Sequence, residues 1–259
     1  MKKNTILVCG DIHGRRFWKK PCENIDQYER VIFLGDYFDP YNFEHISIPQ
    51  CIDNFKEIIN LKKQYPNKVV LLAGNHDYPY ISDTYYHFST YHCRHSKQYH
   101  NDIKHLFNDN ISLFKIAHTE KDILFTHAGV ESNWLEKIVK CKETNINKIA
   151  EILNQLQNTK EGQEKLYYIT AERGGRDRYG SCIWADVHDI LWDVDEYDEK
   201  EKKPIHNIKQ IFGHTLQAFY NHNGNIEFGE PIEFNNVKMI DTAKPYLLDI
   251  DTFKIMVAE

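Results

Sequence analysis

Five short apolar runs each end in a glycine-bearing turn that carries an acid, an imidazole or both, and this recurrence limits the fold more than any other feature. "TILVC" (5–9) leads into "GDIHG", "RVIFL" (30–34) into "GDYFD" and "KVVLLA" (68–73) into "GNHD"; later "DILF" (122–125) meets "THAG" and "IKQIF" (208–212) meets "GHT". The runs are apolar at both parities, the pattern of strands covered on both faces. Between the second and third, Ile48, Ile52, Phe55 and Ile59 recur at i, i+4, i+7 and i+11 and define one apolar helical face. Ser47 with Gln50 forms a capping-box pattern at its start, and Pro49 suits a first turn. The front of the chain therefore reads β-β-α-β, a layered α/β fold.

Residues 78–110 break this rhythm with a Tyr- and His-rich insertion, expected to turn helical only near its end. Residues 131–182 read as a helical insertion closing in the Arg-rich loop "AERGGRDRYGSCIWAD", and "VDEYDEKEKKP" (194–204) as a charged surface loop. The tail from Val237 alternates well enough for two or three antiparallel strands. With no internal repeat, and a sheet that resumes after the helical middle, residues 1–259 are expected to form one domain.

Composition narrows the function classes. A hydrophobic content of 41% supports a substantial core. The net charge of −6, with Lys and Arg never running beyond a pair, argues against nucleic acid held by bulk electrostatics. Six cysteines are scattered without a C-x-x-C pair, and the apolar stretch near the N-terminus is too short for a signal peptide. No window reaches the length of a membrane span. A cytoplasmic protein with reduced thiols and no membrane partner is expected.

The turns deliver Asp11 and His13, then Asp36, Asn75 with His76, His127 and finally His214. Strand ends of α/β sheets are where loops converge on ligands. Carboxylate, imidazole and amide oxygen together suit divalent first-row metals better than Mg²⁺, Ca²⁺ or structural zinc. Six protein ligands exceed one open catalytic ion, but divide between two when one carboxylate bridges.

In this order, "GDIHG", "GDYFD", "GNHD", "THAG" and "GHT" resemble the calcineurin-like metallophosphoesterase superfamily from residue 9 to about residue 216. "MIDTA" further resembles the "DTG" segment of its serine/threonine phosphatase and symmetrical dinucleoside tetraphosphatase branch, with Ala243 in place of Gly. The resemblance implies an αββα sandwich of two mixed β-sheets flanked by helices. It implies that Asp11 and His13 hold one metal, that Asp36 bridges, and that Asn75, His127 and His214 complete the second site. His76 corresponds to the catalytic imidazole and Asp39 to the carboxylate that orients it. The cofactors implied are two divalent ions, manganese first, with iron and zinc also compatible.

Two departures bear on the reaction. Leu216 stands where diesterase and nuclease members carry a second His, which points to a phosphomonoester substrate. Pro40 stands where the phosphatase branch carries a phosphate-gripping Arg in "GDYVDRG". Arg173, Arg176 and Arg178 are the expected substitutes, since an Arg fork suits a phosphate dianion. "CIWAD" resembles the "WSD" segment near phosphatase active sites. The expected function is hydrolysis of a phosphomonoester (phosphoprotein, metabolite or nucleotide) by in-line attack of a metal-bridging hydroxide. Symmetrical dinucleoside tetraphosphate hydrolysis, a phosphodiesterase or nuclease, and a non-catalytic scaffold are the alternatives.

Other residues have plainer readings. Asp77 reads equally as support for its neighbours or as a cap on the next turn. His92, Cys93 and His95 in "YHCRH" lack a second ligand pair at zinc spacing and read as surface loop. The Tyr-rich insertion reads equally as a wall stacking on a substrate ring or as cover for a sheet edge. Cys9 and Cys182 read as buried small residues.

Overall fold

The computed structural model describes residues 4–83, 93–191 and 208–258; the charged loop expected at 194–204, His92 and part of the Tyr-rich insertion lie outside them. All five apolar runs form strands. The first three give β1 (Thr5–Cys9), β2 (Arg30–Phe33) and β3 (Val69–Leu72). After β4 (Phe114–Lys115) and β5 (Ala117–Glu120), the others give β6 (Ile123–Thr126) and β7 (Lys209–Phe212). Burial is complete on both parities, with Ile6, Leu7, Val8 and Cys9 all at 0% exposure, as expected for strands covered on both faces.

The chain divides into two compact units, residues 1–115 with 243–259, and residues 116–242. The first contains a six-stranded sheet ordered β13-β12-β1-β2-β3-β4, where β12 is Pro245–Asp249 and β13 is Lys254–Val257. Its members β1 to β4 run parallel, and the returning strands β12 and β13 add antiparallel pairs. Parallel order puts the C-terminal ends of β1, β2 and β3 side by side, which is where the first three motif turns emerge.

Two helices build the core of this unit. Helix α2 (Ile48–Gln64) follows the short α1 (Lys19–Cys22) and begins at Ser47 with the capping box formed on both sides and Pro in the first turn. Its buried face is Cys51, Asn54, Phe55, Ile58 and Ile59, so the apolar stripe is rotated from the expected one, with Ile48 and Ile52 only partly covered at its edge. After α3 (Tyr78–Ile81), helix α4 (His100–Asn108) closes the Tyr-rich insertion and buries Ile103 and Phe107. Phe38, Phe55 and Phe107 pack ring on ring at 4.8–5.7 Å between centroids, so part of this insertion serves as core.

The second unit has a five-stranded sheet ordered β10-β11-β7-β6-β5 and a separate hairpin of β8 (Ala218–Tyr220) and β9 (Ile226–Phe228); β10 is Ile232–Phe234 and β11 is Val237–Met239. β6, β7 and β11 are parallel. The tail thus yields three strands, but β11 pairs parallel with β7 while β12 and β13 form the antiparallel pair in the other sheet. The expected helical middle is broken into a π-helical turn (Trp134–Val139), α5 (Ile146–Leu156) and α6 (Lys160–Leu166), before α7 (Val187–Leu191). Glu131 accepts from the backbone N–H of Asn133 and Trp134 and so starts the π turn. Lys140, at φ 66°, ends it.

Candidate metal centre and catalytic imidazole

The first three motif turns are stitched together by backbone. His13 N–H donates to Asp36 O at 2.6 Å and Gly14 N–H to Tyr37 O at 3.1 Å. Gly35, at φ 116°, lies so close to the third turn that a Cβ there would stand 2.6 Å from Gly74 N, so only glycine lets the "GDYFD" and "GNHD" turns meet. Asp77 fastens them: its carboxylate accepts from the N–H groups of Asp36, Tyr37 and Gly74 at 2.8–2.9 Å while fully buried. It is the support reading of Asp77, not the turn cap, that the structure bears out. Helix α2 reaches the first turn through buried Asn54, which donates to Arg15 O and accepts from Trp18 Nε1.

These contacts bring His13, Asp36 and His76 together, while Asp11 and Asn75 lie buried in the same turns, all five no more than 7% exposed. Ligand atoms of His13, Asp36 and His76 all lie within 4.8 Å of one another. His13 Nδ1 sits 2.6 Å from Phe38 O, which assigns the proton to that nitrogen and turns the lone pair of Nε2 toward Asp36 Oδ2, 3.7 Å away. A backbone carbonyl on the far nitrogen is how ligating histidines are usually held. Burial, with positive neighbours His76, Arg15 and Arg94, pushes the His13 pKa well below the usual value, so the ring is neutral, as a metal ligand must be. His13, Asp36 and Asp39 occupy left-handed backbone at φ 41°, 53° and 59°, a concentration of sparsely populated conformations typical of functional turns.

His76 is placed differently. Its Nδ1 is 2.9 Å from Asp39 Oδ2, and the other Asp39 oxygen accepts from the Tyr80 hydroxyl at 2.7 Å. Its backbone N–H donates to Asp36 Oδ1 at 2.9 Å. Burial opposes protonation of the ring, but the Asp36 carboxylate and the hydrogen bond to Asp39 favour it and hold the pKa above the usual histidine value. An imidazole so held is charged at neutral pH and carries a proton to give.

In the second unit, His127 Nε2 and His214 Nδ1 face each other at 3.1 Å. Bonds of about 2.0–2.1 Å to one ion, spread near a right angle, separate two donors by about 3 Å, so this pair fits two adjacent ligands of a single metal. The turns that carry them are tied by Gly213 N–H to His127 O at 2.8 Å, and His214 sits at φ 70°. The "CIWAD" segment lies here: Ala128 N–H donates to Cys182 O at 2.9 Å, and the Trp184 ring meets His214 edge-on at 5.9 Å. The donors brought together, imidazole with carboxylate in the first unit and imidazole in the second, are of a kind that can hold divalent metal ions.

The three arginines are not equivalent. Arg173 pairs with Asp186 at 2.8 Å and donates to the Thr215 hydroxyl, next to His214. Arg178 lies over Tyr179 at 5.6 Å, and Arg176 is exposed. Of "YHCRH", Cys93 and His95 are more than surface residues: Cys93 Sγ contacts Asn75, and His95 pairs with His100 at 3.0 Å. Among the described residues, no metal-binding cluster includes Cys93 or His95. Tyr80, Arg94 and Tyr41 border the site and carry no motif; only Asp77, adjoining "GNH", sat where sequence could point to it.

Residues 4–218 match the calcineurin-like phosphoesterase family, and the chain belongs to it. Members of this class are metal-dependent phosphoric ester hydrolases. Among curated proteins, the chain is 32% identical over 136 residues to the putative serine/threonine-protein phosphatase C22H10.04 of Schizosaccharomyces pombe, covering 48% of this chain and 39% of that one. It is 32% identical over 92 residues to serine/threonine-protein phosphatase SIT4 of Candida albicans, covering 32% of this chain and 26% of the relative. The serine/threonine-protein phosphatase 6 catalytic subunit of Drosophila melanogaster is 29% identical over 89 residues, 31% of this chain and 25% of that one. The matches therefore span between a quarter and two fifths of these relatives. Among solved structures, a Saccharomyces cerevisiae serine/threonine phosphatase described as similar to human phosphatase PP5 superposes with a TM-score of 0.52 at 14% identity, covering 99% of this chain and 80% of that one. That likeness shows the fold, in agreement with the two mixed sheets flanked by helices.

Proposed function

We propose that the chain is a dinuclear-metal phosphomonoesterase. By the family resemblance, Asp11 and His13 would hold one ion, Asp36 would be shared, and Asn75, His127 and His214 would hold the second. Bound manganese, iron or zinc ions supply a lowered pKa for a shared water and neutralise phosphoryl oxygens. His76 gives its proton to the departing alkoxide, and Asp39 keeps Nδ1 occupied so that Nε2 is the nitrogen that acts. Arg173 is the best placed of the three loop arginines to meet phosphate, with Arg176 and Arg178 further along the same loop. The observation that carries this reading is the buried His76–Asp39 pair at 2.9 Å beside the His13–Asp36 donor set. Six free thiols fit a cytoplasmic setting, and the net charge of −6 favours a phosphorylated protein or small molecule over nucleic acid. Among the described residues no helix is long and apolar enough to cross a membrane.

The test is turnover of p-nitrophenyl phosphate and of its bis-ester with Mn²⁺. Wild type should prefer the monoester, and His76→Asn should lose about 10²–10⁴ in kcat with bound manganese retained. A wild type silent on both esters would refute the enzyme reading, and a variant as fast as wild type would remove His76 from the mechanism.

A further inference from the structure

A phosphate dianion beside His13 and Asp36 needs a fork of N–H donors, and Pro40 cannot offer one. Arg15, the nearest cation in the first turn, is neutralised by a two-pronged pair with Glu44 at 2.5 and 3.1 Å and is 7% exposed. Arg94 is different. Its guanidinium carbon lies 3.6 Å from the centroid of the Tyr41 ring, Nε donates to Asp39 O at 3.1 Å, and Nη2 stands 3.5 Å from His13 Nε2. The ring beneath and the carbonyl at Nε fix the plane of the fork and leave the Nη edge at the metal-ligating nitrogen. The residue is exposed, and among the described residues no carboxylate pairs with it. An unneutralised, pre-oriented guanidinium at a donor set for divalent ions is suited to an oxyanion that those ions also bind.

We propose that Arg94, brought in by the Tyr- and His-rich insertion and stacked on Tyr41, is a phosphate-binding cation of this site, in addition to any contribution from Arg173. It takes the role that residue 40 does not fill and gives the insertion a function in substrate recognition. This rests on the phosphoesterase reading above.

Calorimetric titration of inorganic phosphate into manganese-loaded protein tests it. Arg94→Ala should bind phosphate about 10- to 100-fold more weakly than wild type, the loss expected for charge-assisted hydrogen bonds. KM for p-nitrophenyl phosphate should rise in parallel, while manganese content and melting temperature stay at wild-type values. Arg94→Lys should recover part of the affinity, since it restores charge without the fork. Tyr41→Ala should weaken phosphate binding in the same direction. Wild-type affinity and KM in Arg94→Ala, with wild type active, would overturn this inference alone; a wild type that neither binds nor hydrolyses phosphoester would overturn the proposed function and this with it.

Discussion

At the scale of single residues, Asp77 does the most to hold the site. Three buried N–H groups from two turns converge on its carboxylate, and removing it leaves all three without an acceptor. Asp77→Ala should cost about 3–5 kcal/mol in urea denaturation, since each orphaned buried N–H costs about 1–3 kcal/mol and the turns relax in part, and should weaken manganese binding as the turns separate. Tyr80 acts one step further out, holding Asp39, which holds His76. Tyr80→Phe should lower kcat by about 10-fold with manganese content unchanged, since the orienting bond is lost while every ligand remains. Ala243 sits at φ 55°, where the resembled segment has glycine. Ala243→Gly should raise stability by about 0.5–1 kcal/mol, the relief of left-handed strain less the added freedom of the unfolded chain; an unchanged or lower melting temperature would contradict this.

At the scale of elements, helix α2 links sequence pattern to site geometry. Its capping box stops the helix from fraying where it follows the "GDYFD" turn, and Ser47→Ala should lower stability by about 1 kcal/mol in thermal or urea melts. The helix lies rotated from the position that its aliphatic residues alone predict because Asn54 is drawn inward to satisfy the Trp18 indole and the Arg15 carbonyl. A buried polar bond outranks a few partly covered methyl groups, since an orphaned donor or acceptor costs about 1–3 kcal/mol. In the second unit, Asn154 on α5 plays a comparable part, accepting from Ile116 and Ala117 N–H and donating to Ala117 O at the edge of β5.

At the scale of the whole molecule, the buried thiols set a pH limit. Burial pushes Cys22 and Cys51 up to about 12, and raises Cys9 and Cys182 as well. The folded chain therefore keeps these protons at a pH where the unfolded chain releases them. Their contribution to stability is complete below about pH 9 and is lost as the pH climbs toward 12, by up to about 1.4 kcal/mol per thiol for each pH unit. Denaturant midpoints measured from pH 8 to pH 10.5 should fall accordingly. The same thiols should resist alkylation at pH 8 until denaturant is added.

Strand positions, the start of α2 and the family were legible in the sequence because each depends on neighbours along the chain: β-branched runs, a cap three residues from its partner, glycine beside an acid or an imidazole. Family motifs also identified which side chains meet at the strand ends of each unit. Nothing local marked the rotation of α2, the parallel pairing of β11 with β7, the π turn, or the places of Tyr80 and Arg94. Those depend on which distant groups must be satisfied once the core closes, and the Tyr- and His-rich insertion has no period to reveal them. Sequence alone determined the elements and the chemistry they carry; tertiary packing decided which guanidinium, hydroxyl and carboxylate stand beside that chemistry, because burial makes each polar group seek a partner wherever in the chain it lies.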